Sequence, residues 1–348
     1  MDSGTRQGGA GSGLAGRPTL KTIAYMTGLG VTTVSRALND APDIGQATKE
    51  RVRLVARQIG YRPNRAGVRL RTGKTNVISL VLSVESEILG LTSHVVYGIS
   101  EYLATTPYHL VVTPYRFGAD PLDPVRYVVE TGSADGIIFS RAEREDPRVR
   151  YLHERGFPFA THGRTEMGIE HPFYDFDNER YAEIAVERLA ARGRRQLALV
   201  PPPPNLTYAG HMTRGFLRAL DRLDLVDIPV RSVTTDSGYD AIRDEVGQLM
   251  AARRRPDGFV CASASAAIAT IAAAEEGGFR IGRDFDVAVK ESFDIMRKFR
   301  PEVEVVHEDF RAAGMRLAEA VVRTIAGTAA ADLQTVDVPE ETVPGAAA

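Results

Sequence analysis

The sequence Val31-Thr32-Thr33-Val34-Ser35-Arg36-Ala37-Leu38-Asn39 decides how the N-terminal part of the chain folds. Val34 and Leu38 recur at helical spacing, so the run predicts a short helix that buries one face. Its outward-facing residues are Thr32, Thr33 and Arg36. Gly28-Leu29-Gly30 separates this helix from an earlier one, for which Thr19 is a suitable N-cap. The pattern therefore predicts two short helices that are joined by a glycine-containing turn.

A third helix and an excess of positive charge complete this N-terminal module. The third helix is predicted over about residues 48–59, and Gly60 ends it. Such a three-helix arrangement is typical of a helix-turn-helix unit. Residues 17–75 carry twelve Lys and Arg against three acids, whereas the whole chain has a net charge of −2. A basic module joined to an acidic body indicates a protein that binds nucleic acid and has a separate control domain. From charge alone, the alternative is that the basic residues only form a solvated helix face.

Composition limits the remaining classes of protein. The chain has 348 residues, of which 43% are hydrophobic and 25% are charged, as in a globular protein of two domains and a remainder. No apolar stretch reaches the roughly 18 residues of a membrane span. Residues 1–17 are rich in Gly and Ser without the apolar block of a signal peptide, so we expect a disordered tail. The single cysteine, Cys261, excludes an intramolecular disulfide and a cysteine-based zinc site and indicates a reducing cytoplasm.

From Asn76 onward, apolar runs of strand length alternate with helical patterns. The predicted strands are at residues 77–84, 110–113, 136–140, 157–161, 196–200, 258–261, 286–289 and 303–306. The predicted helices are at residues 93–104, 178–191, 214–223, 239–252, 264–276 and 309–325. This alternation predicts parallel, doubly wound sheets. About 270 residues of it exceed one ordinary sheet, so we expect two α/β lobes.

Motifs for catalysis are weak in this sequence. Gly73-Lys74-Thr75 resembles the end of a phosphate-binding loop, but Val68 stands where that motif needs a glycine. The seven histidines form no pair at helical spacing. Asp175-Phe176-Asp177-Asn178 offers oxygen ligands to a cation, or alternatively forms a polar edge of a cleft. We therefore expect no enzyme, no cofactor and no metal site.

Several motifs resemble the lac repressor family of bacterial ligand-responsive transcription regulators. They are Val34-Ser35-Arg36-Ala37-Leu38-Asn39, Gly60-Tyr61-Arg62-Pro63-Asn64, Arg214-Gly215-Phe216 and the run from Glu308 to Gly314. The resemblance implies a helix-turn-helix head at residues 18–63, a hinge helix at 64–75 and a two-lobed core like the periplasmic binding proteins. The N-lobe is expected at 76–190 with about 309–330, and the C-lobe at 191–308 with about 331–345. A homodimer or higher oligomer on palindromic operator DNA is also implied.

By the same resemblance, the second helix enters the major groove of DNA and the hinge enters the minor groove. Arg36 is suited to bidentate contact with a guanine, and Val31 to a thymine methyl group. Leu70 matches the family's minor-groove wedge. Gly30 stands where the family usually has a capping serine, and Gly67 weakens the hinge helix. The implied DNA-binding residues are Val31, Thr32, Thr33, Ser35, Arg36, Asn39, Thr48, Tyr61, Asn64, Arg65 and Leu70.

The resemblance further implies an effector cleft at the carboxyl ends of the core strands. Arg214 matches the family's effector-clamping arginine, and Asp177 its cleft aspartate. The implied effector-binding residues are Ser83, Ser140, Arg164, Asp177, Arg214, Ser263, Lys290 and Glu308. Two motifs differ from the family's pattern, namely Ser263-Ala264 and Glu291-Ser292-Phe293-Asp294. The resemblance therefore implies only the general class of effector, which is a small molecule and by family default a sugar.

The function implied is therefore a repressor in the bacterial cytoplasm, associated with the nucleoid, whose operator affinity a small molecule controls. Two alternatives remain open from the sequence. One is a cytoplasmic sugar-binding or sugar-modifying α/β protein with an inert basic extension. The other is a module that binds both sugar and DNA without coupling between them.

Overall fold

The computed structural model describes residues 18–61, 73–84, 91–116, 118–292 and 295–339. The chain divides into two compact units between Thr75 and Asn76. The head is the first unit and the core is the second. The expected tail and the hinge residues Asn64, Arg65, Gly67 and Leu70 lie outside the described residues.

In the described part of the head, three helices pack together, as the sequence predicts. They are α1 (Leu20–Thr27), α2 (Val31–Leu38) and α3 (Gln46–Gln58). Thr19 caps α1 by accepting a hydrogen bond from the amide of Thr22 at 3.3 Å. Ile23, Val34 and Val52 are completely buried, one from each helix. The helix-turn-helix prediction is confirmed, with α3 beginning two residues earlier than expected because Gly45 serves as its N-cap.

The first lobe of the core contains a six-stranded sheet whose recorded pairings are all parallel. Its strands are β1 (Val77–Val84), β2 (His109–Arg116), β3 (Gly136–Phe139), β4 (Phe159–His162), β5 (Phe173–Phe176) and β11 (Gln334–Asp337). The order across the sheet is β2-β1-β3-β4-β5-β11. Its helices are α4 (Leu91–Leu103), α5 (Leu122–Thr131), α6 (Pro147–Glu154) and α12 (Phe310–Ile325).

The second lobe contains a five-stranded sheet, also paired in parallel. Its strands are β6 (Gln196–Val200), β7 (Val226–Asp227), β8 (Gly258–Cys261), β9 (Asp286–Glu291) and β10 (Glu304–His307). The order is β7-β6-β8-β9-β10. Its helices are α7 (Asn178–Ala191), α8 (Thr207–Arg222), α9 (Tyr239–Ala251), α10 (Ala264–Glu276) and α11 (Ile295–Phe299). Two doubly wound lobes are thus confirmed.

Glycines allow the closest helix contacts in each lobe. A Cβ atom at Gly98 of α4 would lie 2.0 Å from the carbonyl oxygen of Arg311 in α12. A Cβ atom at Gly215 of α8 would lie 2.1 Å from the carbonyl oxygen of Glu179 in α7. Neither distance is sterically allowed, so any larger residue would push the paired helices apart.

Two lobe boundaries differ from those that the sequence predicted. Helix α7 was expected in the first lobe, but its buried residues Tyr181 and Leu189 share a core with Leu197 and Val260 of the second sheet. Strand β11 was expected in the second lobe, but it pairs with β5 of the first. Helix α12 has already returned the chain to the first lobe, and the short connection to β11 adds that strand to the nearest open edge of the sheet.

Gly30 offers a direct test of how α2 begins. It is the N-cap of α2 at φ −64°, has no side chain to cap the helix, and leaves a Cβ atom no closer contact than Thr33 Oγ1 at 3.8 Å. A serine therefore fits, and Gly30→Ser should stabilise the head by about 0.5–1 kcal/mol through capping and lower chain entropy. Hydrogen exchange of the α2 amides in the full chain should slow by about two- to fivefold.

The matched control is Gly28→Ser. Gly28 has φ +67°, a left-handed conformation that a serine adopts only with strain, so exchange should become faster. Unchanged or faster exchange in Gly30→Ser would contradict the capping argument.

Candidate functional site

Helix α2 presents the expected DNA-contact residues on its solvent side. Val34 and Ala37 are completely buried, whereas Val31 is 40% exposed. Also exposed or half-exposed are Thr32, Thr33, Ser35, Arg36 and the following Asn39. This face combines an apolar side chain, several hydroxyl groups and a guanidinium group, which are the groups that contact base edges in a major groove.

The other predicted DNA-contact residues that the structure describes, Asn39, Thr48 and Tyr61, lie outside α2. The side-chain amide of Asn39 donates a hydrogen bond to the carbonyl oxygen of Ser35 at 2.6 Å, which closes the C-terminal end of the helix. Thr48 is half-buried in the first turn of α3. Tyr61 packs against the head core, and burial raises the pKa of its phenol. Asn39 and Tyr61 therefore also have structural roles, and Asn64, Arg65 and Leu70 lie outside the described residues.

Arg36 is the one basic residue of α2 and lies in its last turn. Its Nη2 atom is 2.6 Å from Oδ1 of Asp43, in the loop that follows the helix, and both side chains are about half exposed. The hydrogen bond from Arg36 holds the pKa of the Asp43 carboxyl below its usual range. An exposed pair of this kind is weak and is screened by salt, so Arg36 is available to a competing partner.

In the core, the carboxyl ends of the strands surround a cavity of about 290 Å³ between the two lobes. The expected effector residues that line it are Ser83, Ser140, Arg164, Ser263, Lys290 and Glu308. Its apolar lining includes Leu80, Ile138, Phe176, Tyr208, Phe310 and Leu317. Such a mixture of apolar walls and a few convergent polar groups is typical of a small-molecule site.

Three ion pairs bring opposite charges together in this cleft. The atoms and their separations are Arg141 Nη2–Asp236 Oδ2 at 2.5 Å, Arg164 Nε–Asp175 Oδ2 at 3.0 Å and Lys290 Nζ–Glu308 Oε2 at 2.8 Å. Each cationic group therefore has a carboxylate partner. Among the described lining residues, three acids face three basic groups, so the formal charges cancel when all three acids are ionised.

Lys290 occupies the centre of the cleft. Besides Glu308, its ammonium group donates a hydrogen bond to Asn178 Oδ1 at 2.8 Å. It also lies over the rings of Phe176 and Tyr208, 5.4 and 5.0 Å from their centroids. Cation–π contacts of this kind stabilise a cation that has lost water.

Burial changes the protonation of two other cleft groups. It raises the pKa of Asp175 to about 7, although nearby Arg164 and Lys290 favour the ionised form. It lowers the pKa of His162, whose Nε2 lies 3.9 Å from Oε1 of Glu308. His162 is therefore a neutral imidazole at pH 7, and Asp175 is near its titration midpoint.

Two cleft residues, Arg141 and Asp236, were not among the predicted effector residues. Arg141 follows Ser140 at the end of β3 and has φ +60°, an uncommon conformation for a residue with a side chain. Asp236 lies in a loop of the other lobe that carries no motif, and the bidentate hydrogen bond between the two groups joins the lobes. The position after Ser140 at a strand end was the only sequence signal for Arg141.

Two of the predicted effector residues, Arg214 and Asp177, are not among the residues that line this cavity. Arg214 does not line the cavity; its guanidinium is about half exposed and pairs with Glu179 and Glu166. It lies six residues beyond the cleft-lining Tyr208 on α8, about 9 Å further along the helix and on another face. Asp177 also lies outside the lining and instead caps α7 by accepting a hydrogen bond from the amide of Arg180 at 2.9 Å.

Of the two sequence alternatives for residues 175–178, the cleft edge is the one that the structure bears out, since Asp175 and Asn178 line the cavity. Among the described residues, no group of three or more His, Cys, Asp or Glu is arranged to hold a metal ion. The helices of the described part of the chain are all too short or too polar to cross a membrane.

Two family models match the chain. The model for bacterial regulatory proteins of the lacI family matches residues 19–64, and the model for a periplasmic binding protein-like domain matches residues 186–347. A helix-turn-helix head together with such a core defines a DNA-binding transcription regulator. The HTH-type transcriptional regulator AglR of Rhizobium meliloti (strain 1021) is 31% identical over 87% of this chain and 86% of its own. The chain belongs to the lacI family.

Solved structures agree with this fold. The lac repressor dimer bound to operator and the anti-inducer ONPF matches with a TM-score of 0.80 at 20% identity, over 93% of this chain and 97% of its own. The complex of the transcriptional regulator CelR with cellobiose matches with a TM-score of 0.66 at 23% identity, over 94% of this chain and 99% of its own. At these identities the likeness shows the fold.

The raised pKa of Asp175 predicts how stability depends on pH. The folded core binds this proton more tightly than the unfolded chain, whose Asp pKa is about 3.9. The contribution of Asp175 is therefore complete below about pH 4 and is lost as the pH rises through about 7. The melting temperature of the wild type should fall relative to that of Asp175→Asn between pH 5 and pH 8, as followed by circular dichroism.

Comparing the wild type with Asp175→Asn at each pH controls for the titration of all other groups. Burial also lowers the pKa values of His162, His171 and His211, but these groups are common to both proteins. Parallel melting curves across this pH range would show that Asp175 does not titrate there.

Proposed function

We propose that this regulator is a cytoplasmic, homodimeric repressor that binds a palindromic operator through α2 and is controlled by a neutral sugar in the cleft. The balanced charges of the cleft, in which Arg141, Arg164 and Lys290 each face a carboxylate, carry the effector part of the proposal. The exposed face of α2 with Arg36 carries the DNA part. Neither site needs a catalytic group.

The dimer follows from the size of the recognition element. Helix α2 has eight residues, so its N-terminal face and Arg36 span only a few base pairs. A single head of this size reads too little sequence to be selective in a genome. Two heads related by a two-fold axis double the reading length and match a palindromic site.

Arg36 is the proposed reader of a guanine. Arg36→Ala should weaken binding to the operator by about 1–3 kcal/mol and leave binding to random duplex nearly unchanged, because a base contact is lost only where the base is present. The operator used is the palindromic duplex that the wild-type protein selects from a random library. Fluorescence anisotropy with this duplex and a scrambled duplex of equal length measures both affinities.

Arg51→Ala is the matched control for the loss of one positive charge. Arg51 is exposed on α3 and has the properties of a phosphate contact. Its removal should weaken binding to both duplexes alike. Equal losses for Arg36→Ala on the two duplexes would contradict base reading by Arg36.

The charges of the cleft favour a neutral effector over an anionic one. A phosphorylated ligand would need at least one cation without a carboxylate beside it, since its own charge must be offset. The ion pairs of the cleft instead offer both donors and acceptors at its edges. Hydroxyl groups can donate to the carboxylates and accept from the cations, while the apolar face of a sugar ring packs on Phe176, Tyr208 or Phe310.

The contacts between the lobes provide a way for such a ligand to act. Besides the Arg141–Asp236 pair, Thr207 of the second lobe donates its amide to the carbonyl oxygen of Ala142 at 3.0 Å. A sugar that binds Arg141 or Asp236 changes the balance between open and closed arrangements of the lobes. It can shift the operator affinity only by its differential affinity for the two arrangements, typically about 1–3 kcal/mol, and operator must shift sugar affinity by the same factor.

Arg164 and Arg214 test the position of the effector. Arg164 lines the cavity and Arg214 does not, although each is a partly exposed arginine in an ion pair. A thermal-shift screen of neutral mono-, di- and trisaccharides, cellobiose included, identifies the sugar. Arg164→Ala should then lower its affinity by at least about tenfold in calorimetric titration, the loss of a charged hydrogen bond, whereas Arg214→Ala should not change it.

The operator affinity of both variants without sugar should equal that of the wild type. Loss of sugar binding in Arg214→Ala, with full binding in Arg164→Ala, would reverse the assignment. Stabilisation by sugar phosphates but by no neutral sugar would contradict the proposed class of effector.

A further inference from the structure

The pair between Arg36 and Asp43 carries an inference about sequence selectivity that rests on the proposed base contact of Arg36. The described head contains three acidic residues, Asp40, Asp43 and Glu50. Asp40 pairs with Lys49 and Arg53 of α3, at 3.1 and 2.8 Å. Glu50 accepts a hydrogen bond from Gln46. Asp43 is therefore the described acid that contacts the DNA-reading helix.

The chemistry of this contact distinguishes two kinds of DNA binding. The guanidinium of Arg36 has five N–H donors, and the 2.6 Å contact to Asp43 involves Nη2. Donors remain for the edge of a guanine, whose acceptors are uncharged oxygen and nitrogen atoms. A phosphate group, in contrast, is an anion, and a carboxylate beside the guanidinium repels it.

Binding to random DNA depends almost entirely on contacts between cations and phosphates. A free arginine on α2 would add one such contact wherever the helix approaches a duplex. Asp43 neutralises this arginine and adds its own repulsion of the backbone. Both Arg36 and Asp43 are about half exposed, so the pair lies at the surface where DNA would approach.

We propose that Asp43 is a specificity-determining residue, which prevents Arg36 from contacting phosphates and thereby restricts it to a guanine. In random DNA the Arg36–Asp43 pair stays closed and contributes no attraction. At the operator, two hydrogen bonds to a guanine compensate for the weakening of an exposed ion pair. Asp43 thus lowers the affinity for wrong sequences more than the affinity for the correct one.

The test compares Asp43→Asn with the wild type in the full chain. The asparagine is nearly isosteric, so it removes the charge but preserves the loop. We expect the affinity for scrambled duplex to rise by about three- to tenfold and its salt dependence to steepen by about one counterion, because Arg36 becomes a phosphate contact. The affinity for the selected operator should change by less than about twofold, so the specificity ratio falls.

Asp40→Asn is the matched control. It adds the same unit of charge in the same loop, but its partners are Lys49 and Arg53 of α3 rather than the reading helix. Asp40 has φ +56°, a conformation that asparagine tolerates, so the backbone is not disturbed. This variant should raise the affinities for operator and scrambled duplex by similar factors and leave their ratio unchanged.

The double variant Arg36→Ala/Asp43→Asn identifies the route of the effect. In the absence of Arg36, the asparagine should no longer change the specificity ratio. A ratio that falls equally in the Arg36→Ala background would overturn the proposal, as would a loss of operator affinity without a gain on scrambled duplex. If Arg36→Ala alone fails to lower the ratio, the base contact itself is wrong, and that result is distinct from a failure of Asp43.

Discussion

The ammonium group of Lys290 holds together the part of the core on which the cleft depends. The described chain passes between the lobes after Phe176 and again near Glu308, and Lys290 bonds to Asn178 at the first connection and to Glu308 at the second, both at 2.8 Å. Glu308 is only 3% exposed, so removal of the lysine would leave a buried carboxylate without its cation. One residue therefore contacts both connections and lines the cavity, so the proposed effector could act on the geometry of the lobes by displacing it.

The sequence predicted those elements whose signal is local. Helix α2 was predicted at its observed residues because Gly30 precedes it and apolar residues recur at helical spacing. Most buried strands were predicted from apolar runs, but β5 was not, because Asp175 interrupts its apolar residues. Strand β11 was not predicted, because its residues Gln334–Asp337 are mostly exposed at a sheet edge and contain no apolar run. Helix α7 was recognised but assigned to the wrong lobe, since an amphipathic helix does not encode which of two sheets it covers.

The contrast between local and non-local sequence signals also explains which cleft residues were predicted. Residues at or just beyond strand ends, such as Ser140, Ser263 and Glu308, line the cavity as expected, because parallel strands all end at one edge. Arg214 was predicted to contact the effector because it matches the family's clamping arginine, but it does not line this cavity. Gly215 instead allows α8 to approach the backbone of α7 at Glu179, and Phe216 is buried in the core of the second lobe. These two residues thus serve helix packing, and the residues of α8 that line the cavity are Thr207 and Tyr208 in its first turn.

The composition of the cleft also determines how it can discriminate between ligands. Its polar groups are already paired with one another, so a ligand gains only the difference between its own hydrogen bonds and the ion pairs that it weakens. The arrangement of Arg141, Arg164 and Lys290 with their carboxylates therefore limits the affinity that a charged ligand gains from charge alone. A ligand that draws one of these groups away from its ion-pair partner must offer a hydroxyl group in return, and the lack of that hydroxyl discriminates far more strongly than apolar contacts do. For the proposed sugar effector, selectivity would therefore come from the number and position of hydroxyl groups, and the apolar rings would contribute an affinity that sugars of similar size share.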